Sequence, residues 1–140
     1  MEQPADYLSI GHDIIGSSFN VRNEAGRGLR EIFYKKALAW ELQQKGHDVQ
    51  IEVTVPAVYK GNIIEDAYKA DIVVDGRVII ETKAVSKMGE AEVRQLLTYL
   101  KLSGFKLGYL INFGARNFTT GRMSDPFPYD KGIYRFVNKI

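Results

Sequence analysis

Between Ala70 and Ala84 the chain reads Ala-Asp-Ile-Val-Val-Asp-Gly-Arg-Val-Ile-Ile-Glu-Thr-Lys-Ala. Two runs of Ile and Val flank Asp75-Gly76, a pattern that predicts a β-hairpin. Asp71 stands on its first strand, and Glu81 and Lys83 on its second. Charged side chains among Ile and Val need solvent, mutual pairing or a metal, because an isolated charge in apolar surroundings is costly. Two carboxylates and an ammonium are also the set that Mg²⁺-dependent cleavage of a phosphodiester requires. The carboxylates offer hard oxygen ligands, and the lysine steers a water or offsets developing negative charge.

That chemistry imposes a geometric condition. Side chains alternate along a strand, so Glu81 and Lys83 share a face with Ile79. A two-residue loop at Asp75-Gly76 pairs position 71 with 80 and sends Asp71 to the opposite face. A three-residue loop, a type I turn plus bulge with Gly76 left-handed, is expected to pair 71 with 79 and to bring the three charges together. A strand bulge near Asp71 would do the same.

At 140 residues the chain is expected to form one domain. It has no cysteine, which excludes disulfides, thiol catalysis and Cys-based zinc sites. The opening Met1-Glu2-Gln3-Pro4-Ala5-Asp6 lacks a signal-peptide pattern, and no apolar run is long enough to span a bilayer. The expected location is therefore cytoplasmic, with no membrane partner. A formal net charge of +2 neither requires nor excludes a nucleic-acid partner.

Helical spacing predicts a first helix over Tyr7 to Asn23 and a second over Leu29 to Gln44. The second has an expected apolar face of Leu29, Ile32, Phe33, Ala37, Trp40 and Leu42, ending at Lys45-Gly46. Asp48 to Tyr59 alternates, with Val49, Ile51, Val53 and Val55 on one side, and Pro56 suggests an edge or a bend. A short strand at Ile63 to Glu65 leads into the strand that carries Asp71. A third helix is expected over Glu90 to Leu102, with a stripe of Val93, Leu96, Leu97 and Leu100, and a central strand over Lys106 to Phe113. Gly114 to Asp130 reads as a long irregular loop, and Ile133 to Val137 as a last strand. The order indicates an α/β or α+β sheet flanked by helices.

Asp71 with Glu81-Thr82-Lys83 resembles the core motif of the PD-(D/E)XK nuclease superfamily. More closely, Gly28-Leu29-Arg30-Glu31-Ile32-Phe33-Tyr34 resembles the signature of the bacterial GxxExxY protein family, over about Ile10 to Val137. Gln95-Leu96-Leu97-Thr98-Tyr99 resembles the Gln-x-x-x-Tyr motif of RecB-type nucleases. The resemblance implies a restriction-endonuclease-like α/β core, a mixed β-sheet flanked by helices, and a nuclease that uses Mg²⁺ or Mn²⁺ on DNA. On it, Asp71, Glu81 and the backbone carbonyl of Thr82 would ligate the metal and Lys83 would activate or position water. Glu31 would serve as an auxiliary acid, and Gln95, Tyr99 and Tyr34 would position substrate or neighbouring groups. The segment from Ala115 to Tyr129 is longer than the family pattern.

Each residue also has a plainer account. Asp71 is either a ligand or a strand-end acid paired with Lys83. Glu31 in a first helical turn is favoured by the helix dipole alone. Tyr34 is either an orienting group or a core aromatic, and Gln95 and Tyr99 are either substrate contacts or a buried pair. Gly26-Arg27-Gly28 either holds a phosphate or starts a helix. His12 and His47 are expected to be surface or satisfied residues. Lys35, Lys36, Arg116 and Arg122 are either a basic face or, as expected here, scattered solvated charges. Two alternatives to a nuclease follow. One is a catalytically silent module binding nucleic acid or protein, with Asp71, Glu81 and Lys83 as a structural ion triad. The other is an accessory subunit whose 114–130 loop is the contact. The small size also suggests a homodimer or a protein partner for substrate choice.

Overall fold

A computed structural model describes residues 4–138. Met1 to Gln3, part of the opening segment read above for a leader pattern, and residues 139–140 lie outside the described residues. The elements are α1 (Pro4–Ala25), α2 (Glu31–Gln44), β1 (Val49–Tyr59), β2 (Asn62–Val74), β3 (Val78–Lys83), α3 (Glu90–Ser103), β4 (Leu107–Asn112), β5 (Asn117–Thr120) and β6 (Lys131–Val137). The strands form a six-stranded sheet in the order β1-β2-β3-β4-β6-β5. Pairing is antiparallel except for β3 with β4 and β5 with β6. Parallel neighbours need a crossover, and α3 supplies the one between β3 and β4. The result is a restriction-endonuclease-like α/β fold with a mixed sheet between helices. Among the described residues no helix is long and apolar enough to cross a membrane.

Two apolar clusters fill the layers. On one face Ile10 and Ile14 of α1 and Tyr34, Leu38 and Leu42 of α2 pack on Ile72, Val78, Ile80 and Tyr109. On the other, Val93, Leu96 and Leu100 of α3 pack on Val73, Ile79 and Leu110. All six residues of β4 are buried, as a strand covered on both faces requires.

Of the apolar face expected for α2, Leu42 is buried and Ala37 partly so, but Leu29, Ile32, Phe33 and Trp40 are exposed. Its core stripe is Tyr34, Lys35, Leu38, Ala39 and Leu42, whereas Phe33 is 46% and Trp40 57% exposed. Phe33, Ala37 and Trp40 instead line a shallow groove against Val21 and Ala25 of α1. Hydropathy alone placed the stripe about one residue off, because α2 turns a lysine toward the sheet. The 114–130 segment is also less irregular than its prolines suggest. It contributes the edge strand β5, and its buried Tyr129 pairs with Met88.

The β2–β3 loop has three residues: Val74 pairs with Val78, and the Arg77 amide donates to the Val74 carbonyl at 3.0 Å. Both Asp75 (φ 55°) and Gly76 (φ 64°) are left-handed, the signature of a type I′ turn rather than type I, and Arg77 is the extra residue. The pairing of Ile72 with Ile80 sets residue 71 opposite 81, not 79 as expected. The parity that unites positions 71, 79, 81 and 83 is unchanged.

A further irregularity lies one strand over. Val49 packs with the α1/α2 cluster, but Val53 and Val55 pack with the α3 cluster, so β1 does not keep one side as its alternation suggests. β2 behaves likewise: Ile72 and Val74 belong to the first cluster, and Tyr68 and Ala70 to the second. The change of face falls at Glu52, left-handed at φ 56°, and at Asp71, the two positions bracketed by the pairs Ile51–Ile72 and Val53–Ala70. Nearer the tip, the register shifts between Val55 and Ala57, at Pro56 on this edge strand.

At the turn end of the hairpin, His47 is held between two acids. Its Nδ1 lies 2.7 Å from Asp75 Oδ2 and its Nε2 2.7 Å from Asp13 Oδ2, tying the end of α2 to α1 and to the β2–β3 turn. Burial works against the charged ring, but the two carboxylates outweigh it and raise its pKa above 6.5. The folded state thus binds this proton more tightly than the unfolded chain does. The staple is fully present below about pH 6.5 and is lost as pH rises through the folded pKa. Denaturant melts should show His47→Gln destabilised relative to wild type at pH 6, with the gap closing at alkaline pH.

Candidate active site

The site lies where β2 and β3 stop pairing. The ladder runs through Ile72–Ile80, and beyond it side chains take over the backbone groups. Asp71 Oδ2 accepts from the Thr82 amide at 2.9 Å and from Thr82 Oγ1 at 3.1 Å. Reciprocally, Glu81 Oε1 accepts from the Asp71 amide at 3.2 Å. The two acids therefore meet at a seam between separating strands rather than by alternation alone.

Different layers hold them. From α2, Lys35 approaches Asp71 Oδ1 at 3.5 Å and Glu52 at 3.2 Å. From the α3 side, the Tyr68 hydroxyl donates to Glu81 Oε1. Tyr68 stacks on Tyr99 with ring centroids 3.8 Å apart, and the Tyr99 hydroxyl donates to the Ala67 carbonyl at 2.8 Å. Tyr99 thus reaches the site through Tyr68. Gln95 does not: it is exposed and its side chain has no hydrogen bond among the described residues, lining a shallow depression with Arg94, Thr98 and Tyr99. Tyr34 is buried, with its hydroxyl donating to the Gly26 carbonyl at 2.7 Å and accepting from the Leu29 amide at 3.1 Å. It stacks on Phe113 and pins the Gly26–Leu29 loop, so its hydrogen bonds go to that loop and not to Glu31.

Lys35 corrects an expectation. Only 8% exposed, it is part of the site and not a solvated surface charge. Its burial disfavours the ammonium, but Asp71 and then Glu52 outweigh that and raise its pKa. Lys35 is four residues after Glu31 on one helix, a spacing that could have flagged it. Tyr68, three residues before Asp71, had no comparable signal.

Lys83 makes no ion pair among the described residues, so Asp71, Glu81 and Lys83 do not form a closed ion triad. Its charge is nevertheless near enough to favour ionisation of both Glu31 and Glu81. Burial, then the Asp71 charge, raises the pKa of Glu31. The same two causes, in the same order, push Glu81 up to about 7. Burial and the Glu81 carboxylate raise Tyr68, so it stays a phenol and a donor.

The donor set suits a hard divalent cation in part. Among the described residues no three or more His, Asp or Glu side chains converge as a complete ligand shell. Mg²⁺, however, is commonly bound by one or two carboxylates plus waters and substrate phosphate. Glu81 Oε2 has no hydrogen bond among the described residues, and Asp71 Oδ1 faces only Lys35. A buried carboxylate with a raised pKa beside a second acid gains most from a nearby cation.

Glu81 also bears on stability. Its pKa rises from 4.5 to about 7 on folding, so its proton is bound more tightly in the folded state, and stability falls as pH climbs between those values. Glu81→Gln should remove that fall. Denaturant melts should find the variant up to about 3 kcal/mol more stable at pH 8 and little changed at pH 4.

A family model described as the PD-(D/E)XK nuclease superfamily matches residues 9–123. No curated protein and no solved structure matches the chain significantly. The match spans α1 through β5 and includes both acids, Lys83 and the α2 residues Glu31 and Lys35, and the chain belongs to the PD-(D/E)XK nuclease superfamily.

Proposed function

We propose that this protein is a metal-dependent nuclease that hydrolyses phosphodiester bonds in DNA, a member of the GxxExxY branch with a RecB-like Gln-x-x-x-Tyr helix. The observation that carries the reading is the charge balance of the seam. Lys35 offsets Asp71, while Glu81 is half-buried beside a second acid with its pKa pushed up to about 7, and Lys83 stands near without an ion pair among the described residues.

In this reading Asp71 and Glu81, with the Thr82 carbonyl, hold Mg²⁺ or Mn²⁺. A cation bound there polarises the phosphate and makes a coordinated water more acidic. The chain's own groups do the rest. Lys83 positions the attacking water and offsets the negative charge that grows on the phosphate oxygens as water adds to phosphorus and the bond to the leaving sugar oxygen breaks. Lys35 keeps the Asp71 carboxylate oriented. Tyr68, braced by Tyr99, orients Glu81. Glu31, its pKa raised by burial and by Asp71, serves as an auxiliary acid. Gln95 contacts substrate only if DNA extends across the outer face of α3.

Manganese titration by calorimetry is the direct test. Wild type should bind Mn²⁺, and Asp71→Ala and Glu81→Ala should abolish binding. Because Glu81 must lose its proton to ligate, affinity should fall about tenfold per pH unit below about 7. Lys83→Ala should keep Mn²⁺ binding within a few-fold and lower plasmid cleavage by about 10²-fold or more. No Mn²⁺ binding by wild type would reject this reading and favour a catalytically silent module.

A further inference from the structure

We propose that the cleft lined by Arg27, Gly28, Ser86, Lys87 and Arg116 binds the backbone phosphates of the DNA strand as it leaves the seam. The inference rests on the nuclease reading and adds where the substrate runs.

The cleft consists of two adjoining depressions of about 370 and 270 Å³ that share Arg27 and Ser86. It is joined to the site through the chain itself. Ala84, Val85 and Ser86 on one wall follow directly on Lys83, and Gly28 on the other is three residues before Glu31. A phosphate path along these walls therefore begins beside the acids.

Its charge is uncompensated. Among the described residues Arg22, Arg27, Lys87 and Arg116 have no carboxylate partner within ion-pair distance. The one acid on the lining, Asp130, has Lys131 at 3.7 Å. Arg22 backs the cleft: it donates to the Arg116 carbonyl at 3.4 Å and its guanidinium lies 5.1 Å from the Phe118 ring centre. Burial, and then the Arg27 charge, lowers its pKa, which places like charges close together. Gathering cations without an anion is unfavourable by itself and suits a polyanion.

The walls are fixed. A Cβ at Gly114 would lie 2.4 Å from the Val85 carbonyl oxygen, so only glycine permits this approach. Asn112 Oδ1 accepts from the amides of Val85 and Gly114, each at 3.0 Å, and Arg27 Nε donates to the Gly114 carbonyl at 3.2 Å. Asn112 Nδ2 is the one buried side-chain nitrogen or oxygen lacking a hydrogen-bond partner among the described residues. It leaves a spare donor in the residue that ties the floor together. A fixed backbone floor with Arg27 tied to it lowers the ordering cost when a phosphate binds.

The test uses a short fluorescein-labelled DNA duplex in EDTA, where cleavage is prevented and binding is read by anisotropy against salt. The triple variant Arg27→Gln, Lys87→Gln, Arg116→Gln should flatten the slope of log K against log salt by about 2 to 3. Arg27→Lys with Arg116→Lys should keep the wild-type slope, since charge is retained. The control Lys60→Gln with Lys101→Gln, exposed charges outside the cleft, should leave it unchanged. The proposal is overturned if the triple variant binds with the wild-type slope, if the control flattens it equally, or if wild type fails to bind DNA. Mn²⁺ calorimetry on the same proteins separates the two readings. An intact metal site with an unaltered DNA slope rejects only the cleft, whereas no Mn²⁺ binding in wild type rejects the nuclease reading itself.

Discussion

The structure turns on the point where the β2–β3 ladder gives way to side chains. Past Ile72–Ile80 the strands separate, and buried amides that lose a sheet partner would each cost about 1–3 kcal/mol if left unpaired. Asp71 fills the Thr82 amide and Glu81 fills the Asp71 amide, so the two acids complete the fold as they create the seam. A neutral, apolar pair at these positions would leave both donors empty. The same carboxylates thus serve the backbone through one oxygen each, Asp71 Oδ2 and Glu81 Oε1, and leave the other oxygen outside the backbone bonds.

Placing acids in this way loads the seam with charge. Glu31 and Glu81 each lie near enough to Asp71 to feel its charge, with Lys35 buried against Asp71 and Lys83 nearby without an ion pair among the described residues. For Glu31 and Glu81, burial makes the ionised carboxylate less favourable, and the nearby Asp71 charge adds to it. Holding Glu81 in this setting costs folding stability as pH rises through its raised pKa. The rest of the molecule offsets the loss through ordinary means. A doubly covered central strand, two apolar clusters and a histidine clamped between two acids hold the layers around the seam.

The cationic cleft extends the same economy of construction. The loop that Tyr34 pins and the segment that Asn112 ties down are the continuations of the two elements carrying Glu31 and Lys83. Rigid walls beside the acids therefore come from the chain connections themselves, with no added domain.

Much of this was legible in the residues. Ile and Val runs around Asp75-Gly76 dictated the hairpin, and the Asp71 and Glu81-Thr82-Lys83 pattern pointed to the two acids that meet at the seam. The stripe of Val93, Leu96 and Leu100 dictated α3, because burial on one helical face leaves a periodic trace. Other features had no local trace. Lys35 looks like any helical lysine until α2 is docked on the sheet. Tyr68 becomes a partner of Glu81 only because β1 and β2 change face at Glu52 and Asp71. Tyr34 and Tyr99 sit on the motif positions, yet their hydroxyls serve backbone carbonyls that sequence spacing does not bring near. The chain by itself determined which residues are apolar, which are charged and how each short segment folds, since those depend on neighbours a few positions apart. Which charges meet, which is buried against which, and how the strands part to make a site were decided only by the tertiary structure, because those depend on contacts between segments far apart in the chain.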